Sequence, residues 1–594
     1  MKTEIKFING KPTIAVNGEI HSPLAYTTYF DECGEWSDFI GSGYKMFFVN
    51  VSFTDLPINN VTGFTPFRTG VFETDIPDYS DFDSTVNRII AACSDALIFP
   101  RINIAMPRKW IGENIYETVE TPNGNRESLY SDKFMHDGAE LLKTLVSHIR
   151  SAEYSERIAG YQLCGGTTQE WIHHDLFGSF SEMGIEKFRK WSYNKYGIEN
   201  IQLFQKSDFN NEDKFEIYSK YCEFSGETVP KTIEYFAKTL KEFINNEQIV
   251  GVFYGYNAFV TDPLWGLHGL GYIIDSPYID FFSSPCCYDD SRNLGLDWGD
   301  MLPVDSVKLH GKMCFIECDI RTHLTKRMQL SRPDEYPEDI MLTVDKSGKK
   351  TVWSGPDTPL LSVSAIRKAF AHQLVKASGI WWFDMWGGWY HDSDIMAELE
   401  KTRLIAEHSA AKNINGLPTA ETVLFIDEKS YSNIGRNNYI RDSVNQIRVA
   451  MGNTGIPFDT YMVEDAEKVI DKYRFAIFTA PVPSDSGKNA IELCKNLDIP
   501  HIISTLEKPF YSTVELRNIL VSEDIHCYCD ESCVVYCENG FLGIHTARDG
   551  EIKIKLPKKY RIKPLLDIAN EIETDTVVFS APKHTTALFE LFNI

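Results

Sequence analysis

The chain has 594 residues and a formal charge of −25, so most of its surface would repel nucleic acid or an anionic membrane, leaving sugars and other neutral or cationic small molecules as partners. Thirteen cysteines in no regular framework suit a reducing compartment, and no apolar run reaches membrane-spanning length. The opening MKTEIKFINGKP has no export-signal pattern, and the expectation is a soluble, cytoplasmic protein.

In chain order, INGKPTIAVNGEIHSP predicts a β-hairpin that plugs the floor of a barrel, with its turn at Gly10-Lys11. Eight short apolar runs follow: 22–30, 45–53, 96–104, 158–165, 249–257, 279–286, 312–319 and 379–386. Amphipathic helical stretches at 137–152, 229–246 and 361–377 lie between some of them, which is the rhythm of an α/β barrel with a parallel sheet. The polar, Pro-containing span Leu324 to Thr358 predicts a loop over the barrel top. Residues 1–415 are thus expected to form a (β/α)8 barrel. A second α/β module is expected at 416–515, and short alternating runs predict a small all-β domain at 516–594. The second module lacks a Gly-rich phosphate-binding fingerprint, which points to packing or self-association as its use.

Barrel chemistry gathers after the carboxyl ends of the strands. Two glutamates fit that rule. Glu317 sits in the apolar run MCFIECD at the end of the seventh strand, where a lone carboxylate is costly to bury; it is either chemical or paired with Arg321. Glu170 follows the fourth strand in CGGTTQEWIHHD. There Trp171 can desolvate it and raise its pKa, and the competing reading is an acid at a helix N-terminus. One protonated and one ionised carboxyl facing each other across a barrel is the requirement of glycoside cleavage. Supporting candidates are Arg101 at the end of strand three, Tyr254, Tyr256 and Asn257 closing strand five, and Trp382, Asp384, Trp386 and Trp389 after strand eight. Tyr26 and Asn50 are weaker entries. Flat rings beside polar groups suit the C–H faces and hydroxyls of a sugar. Adjacent His173, His174 and Asp175 lack a matching metal-ligand set, and no metal or other cofactor is expected. Cys164, Cys286, Cys287, Cys314 and Cys318 read as buried thiols.

The glutamates on strands four and seven, followed by a flavodoxin-like module and a small β domain, resemble clan A glycoside hydrolases, most of all family 42 β-galactosidases and the related family 164 β-mannosidases. The resemblance implies a TIM barrel, Glu170 as acid/base, Glu317 as nucleophile, retention of configuration, no cofactor, and trimerisation through the second module. The residue before Glu170 is Gln169, where clan A enzymes usually carry Asn, and the loop after strand four is longer. An inverting hydrolase using the same pair and a sugar-binding barrel without catalysis are the alternatives.

Overall fold

The computed structural model describes the chain except for residues 175–179, 200, 202–211, 259–261, 326–327, 337–350, 411, 436–437, 532 and 567–569. Its centre is a closed barrel of eight parallel strands: Leu24–Thr27, Met46–Ser52, Leu97–Ile104, Gly160–Gly165, Ile249–Phe253, Phe281–Pro285, Met313–Cys318 and Gly379–Phe383. They pair in sequence order around the ring, as right-handed crossover connections require. Every residue of these strands is buried, which explains why they read as continuous apolar runs without alternation.

Helices wrap the barrel. Asp132–Ser151 starts on Ser131, whose hydroxyl accepts from the Phe134 N–H, and Pro359–Lys376 starts on Thr358 with Pro359 in its first turn. The expected helix at 229–246 begins earlier, at Phe215, and runs to Phe243. Pro230 lies inside it. The floor holds three antiparallel strands, Thr3–Ile8, Lys11–Val16 and Glu19–His21. Their turns fall on Asn9-Gly10 and Asn17-Gly18, with all four φ between 50° and 91°. The first turn is therefore one residue earlier than Gly10-Lys11, because this turn needs positive φ at both central positions, which Asn-Gly tolerates and Lys does not. Ile14 and Val16 pack into the barrel's lower core with Phe48, Phe99, Phe281, Phe315 and Trp381.

The second module has four parallel strands, Thr422–Ile426, Phe458–Met462, Phe475–Thr479 and His501–Ser504, in spatial order second, first, third, fourth. Helix Thr513–Ser522 shares an apolar cluster with Leu424 and Ile447 through Leu516 and Leu520, so this unit continues past residue 515. The last domain is a five-stranded antiparallel sheet between Cys533 and Phe592. One lysine ties the three parts together: Lys376 Nζ of the barrel lies 3.3 Å from Asp305, 2.7 Å from Asp459 of the second module and 3.2 Å from Glu538 of the last sheet. Of the span Leu324 to Thr358, 326–327 and 337–350 are outside the described residues. In the remainder, Met328–Ser331 is a short helix and Arg332 pairs with Glu32 at 2.7 Å, above the first strand.

Candidate active site

The inward-facing residues of the barrel form layers. At the bottom, Phe48 stacks on Phe99 at 4.8 Å and on Trp381 at 5.2 Å, and Phe315 meets Phe48 and Phe281 edge-on at 5.4 Å each. Two residues further along their strands, by the period of two, Asn50, Arg101 and Glu317 replace the rings with polar groups. The chemistry therefore stands on an apolar platform. Arg101, fully buried, lies over the rings of Trp381, Phe253 and Tyr29 at 4.9, 5.0 and 5.4 Å, and its Nη1 donates to Asn50 Oδ1 at 3.5 Å.

Glu317 is the fifth of six residues in the seventh strand and is 3% exposed. Burial pushes its carboxyl well above the ordinary range, the charge of Asp319 pushes the same way, and Arg101 opposes them. Asp319 behaves oppositely: although burial favours its acid form, Arg292 and Arg321, each 2.6 Å away, keep it below the usual carboxylate range. The Tyr288 hydroxyl bridges the two acids, 3.4 Å from Glu317 and hydrogen-bonded to Asp319.

Glu170 comes from the turn after strand four. Gly166, Thr168, Gln169 and Trp171 all have φ between 57° and 69°, and Trp171 folds back so that its N–H donates to Gly165 O at 2.7 Å and its indole N–H to Leu163 O at 3.2 Å. This tight loop turns Glu170 into the mouth. Burial raises its pKa to about 7, against the hydroxyls of Thr168, 2.6 Å from Oε2, and Tyr256. The charges of Glu170 and Glu317 act on one another and both act on Tyr256, whose hydroxyl faces the pair. The buried Gln169 amide has no hydrogen-bond partner among the described residues.

The remaining expected residues divide. Trp386 lies beside Tyr29 at 6.0 Å, and Trp389 beneath Arg321 at 5.1 Å, the arginine that pairs with Asp319. Trp382 is on the outer side of its strand, its N–H donating to the Tyr44 hydroxyl at 2.9 Å, while its neighbour Trp381 points inward. Asp384 is occupied: it accepts from Tyr26 at 2.9 Å, Gly388 N at 2.8 Å and Trp389 N at 2.9 Å, and burial raises its pKa to about 6. It shapes the loop that carries the tryptophans. Tyr254 points away from the pair and donates to Gly266 O at 2.7 Å. Asn257 donates to Glu428 of the second module at 3.1 Å. His174 contacts Asn60, Thr167 and Glu127, and Asp175 lies outside the described residues. All five named cysteines are buried thiols.

Tyr29, Tyr288, Arg292, Asp319 and Trp381 escaped the sequence reading. Asp319 and Arg321 flank Glu317 at spacings of two and four, a signal that was there to be used; Arg292, on the loop after strand six, gave none. A cavity of about 420 Å³ touches Arg292, Trp298 and Arg321, and one of about 180 Å³ touches Tyr29 and Asn50. Neither cavity is lined by Glu170 or Glu317.

No family model and no curated protein matches the sequence. Solved structures do match. The cold-adapted β-galactosidase from Rahnella sp. R3 aligns over 100% of both chains with a TM-score of 0.63 at 9% identity. The chain has the fold of that β-galactosidase. A β-galactosidase from Bacillus circulans sp. alkalophilus aligns over 96% of this chain and 99% of its own, with a TM-score of 0.63 at 10% identity. The family 42 exo-carrageenase from Bacteroides ovatus aligns over 100% and 85%, with a TM-score of 0.61 at 12% identity. Barrel, second module and terminal sheet all fall within the alignment.

Proposed function

We propose that the chain is a retaining exo-β-glycosidase in which Glu170 is the acid/base and Glu317 the nucleophile. The observation that carries this reading is a pair of buried carboxyls at the barrel mouth, one from the turn after strand four and one within strand seven, whose charges act on one another. Glu170, with its pKa raised to about 7, holds a proton to give to the departing oxygen at neutral pH. Glu317 stands in the strand itself, on the apolar layer; burial and Asp319 raise its pKa, and the charges of Arg101 and Arg292 oppose that rise and favour the ionised form that attacks the anomeric carbon. Departure of the leaving group joins Glu317 to the sugar; water, deprotonated by Glu170, then releases the sugar with its configuration retained. Trp386, Trp389 and Tyr29 supply ring faces for the sugar.

The names of the structural neighbours support trying β-galactosides first as substrates, with β-mannosides as the second choice. Self-association through the second module belongs to the same reading, and the mass of the assembly in solution tests it. The deciding experiment is turnover of 4-nitrophenyl β-glycosides by wild type, Glu170→Ala and Glu317→Ala with azide added. A β-glycosyl azide from Glu170→Ala and an α-azide from Glu317→Ala support both roles. Mild effects of both substitutions on an active wild type would refute them.

A further inference from the structure

The loop that presents Glu170 is strained. Thr168, Gln169 and Trp171 are all in the left-handed region, which for a β-branched and a bulky residue persists only when the surroundings enforce it. Backbone bonds hold the loop, from the Thr168 N–H to Ile58 O at 2.6 Å and from the Thr167 N–H to Ile172 O at 2.8 Å, and a buried polar group beside it adds to them. His174 Nδ1 lies 3.0 Å from Thr167 Oγ1 and 2.5 Å from Asn60 Nδ2, and Asn60 Nδ2 also donates to Thr167 Oγ1 at 2.8 Å. On its other side His174 Nε2 is 3.4 Å from Glu127 Oε1. Glu127 in turn is held by the Met106 N–H and the Arg126 guanidinium, each at 3.2 Å. None of Asn60, Glu127 and His174 has measurable exposure.

Direction follows from the donors. The Asn60 amide N–H can only donate, so Nδ1 of His174 accepts, and the ring proton resides on Nε2, which points toward Glu127 at 3.4 Å without closing a hydrogen bond. Burial, with Arg126 close by, keeps the imidazole neutral. The two contacts at Nδ1 thereby set the tautomer and hold that edge of the ring. Thr167, gripped by it, passes the restraint on: its carbonyl accepts from the Glu170 N–H at 3.2 Å and from the Thr168 hydroxyl at 2.7 Å, and that hydroxyl is 2.6 Å from Glu170 Oε2.

We propose that His174, fixed between Asn60 and Glu127, is the positioning residue of the acid/base: it holds the loop 166–171 in the conformation that aims the Glu170 carboxyl at the leaving oxygen. This rests on the assignment of Glu170 as the acid. His174 touches neither substrate nor the reacting atoms, and acts only through Thr167 and Thr168.

The test compares kcat/KM for 2,4-dinitrophenyl and phenyl β-glycosides of the sugar that wild type cleaves. The first leaving group departs without a proton and the second needs one, so a misplaced acid hurts only the second. His174→Ala and Asn60→Ala are expected to lose about a hundredfold or more on the phenyl glycoside and less than tenfold on the dinitrophenyl one, in the pattern of Glu170→Ala. His174→Gln, which keeps an amide in reach of Thr167 and Glu127, is expected to recover part of the loss. Equal losses on both substrates, or none, in variants whose circular dichroism matches wild type overturn the proposal. Should His174→Ala fail to fold, Asn60→Ala and His174→Gln carry the comparison. A Glu170→Ala enzyme without leaving-group dependence removes the acid assignment and this proposal with it; a Glu170→Ala enzyme with that dependence beside unaffected His174 and Asn60 variants removes the positioning role alone. No turnover of any glycoside by wild type overturns both.

Discussion

Arg292 and Asp319 form an ion pair 2.6 Å long inside the barrel mouth, two residues beyond Glu317. The pair sets the charge that Glu317 feels. Asp319→Asn removes a negative neighbour and leaves Arg292 and Arg321 uncompensated, so the Glu317 pKa should fall and the acidic limb of the kcat/KM profile should move to lower pH. Arg292→Met has the opposite sign: the limb moves to higher pH. A pH profile of both variants on one aryl glycoside decides it, and shifts in the same direction would contradict this account. Arg292→Met should also cost about 3–5 kcal/mol in urea unfolding, the consequence of breaking a buried pair.

Glu170 makes a second prediction, about stability. Its pKa is about 7 in the folded chain and near the ordinary 4.5 in the unfolded one. Between those values the unfolded chain releases a proton that the folded chain keeps, so stability falls as pH rises through this window and the loss is complete above it. The loss amounts to at most about 3 kcal/mol, less as far as cleft water reaches the carboxyl. Glu170→Gln cannot ionise and escapes it. Its melting temperature should exceed that of wild type by a margin that widens from pH 4 to pH 8; a margin independent of pH would mean that Glu170 is not desolvated.

The glycines under the acid loop are required by space. A Cβ on Gly166, whose φ is +63°, would lie 2.5 Å from the Ile172 carbonyl oxygen, and one on Gly165 would lie 2.8 Å from the Trp171 ring. Gly166→Ala meets rigid backbone in an unfavourable conformation and should destabilise by more than about 1 kcal/mol. Activity should fall with it, because the clash is with the segment that carries Glu170. Thermal melts and kcat on one glycoside read both.

Lys376 joins acids from three parts of the chain. Lys376→Met should leave Asp305, Asp459 and Glu538 with Lys308 as their nearby cation, at a cost of about 3–5 kcal/mol. The denaturation curve is expected to broaden or split as the modules uncouple, whereas an unchanged single transition would show that they are held by their apolar contacts instead.

The barrel was legible because each strand is buried on both faces, and an uninterrupted apolar run is a signal that needs no partner to be read. The first turn of the floor falls on Asn9-Gly10, one residue before Gly10-Lys11, because a hairpin turn with positive φ at both central residues suits Asn-Gly. Glu317 is legible as a charge within the apolar run MCFIECD, and Glu170 as an acid beside Trp171 after the fourth strand. Sequence does not settle which of two adjacent residues faces inward, Trp381 or Trp382, nor which of Tyr254 and Tyr256 does, because the side of a strand depends on register with its neighbours. Asp384 illustrates a different limit. An aspartate at a strand end looks the same whether it awaits a hydroxyl or is already saturated by backbone N–H groups of its own loop.

Asn257 is joined to Glu428, and Gly271 N–H donates to the same carboxylate at 3.3 Å. The rim of the barrel beside Tyr256 is therefore stitched to a separate stretch of chain some 170 positions later. Anyone recombining this barrel with loops or modules from other proteins would find that a cut at residue 416, natural though it looks on the sequence, severs the seam that keeps the fifth strand's end in place; the smallest transplantable unit includes the strand that ends in Asp427 and Glu428.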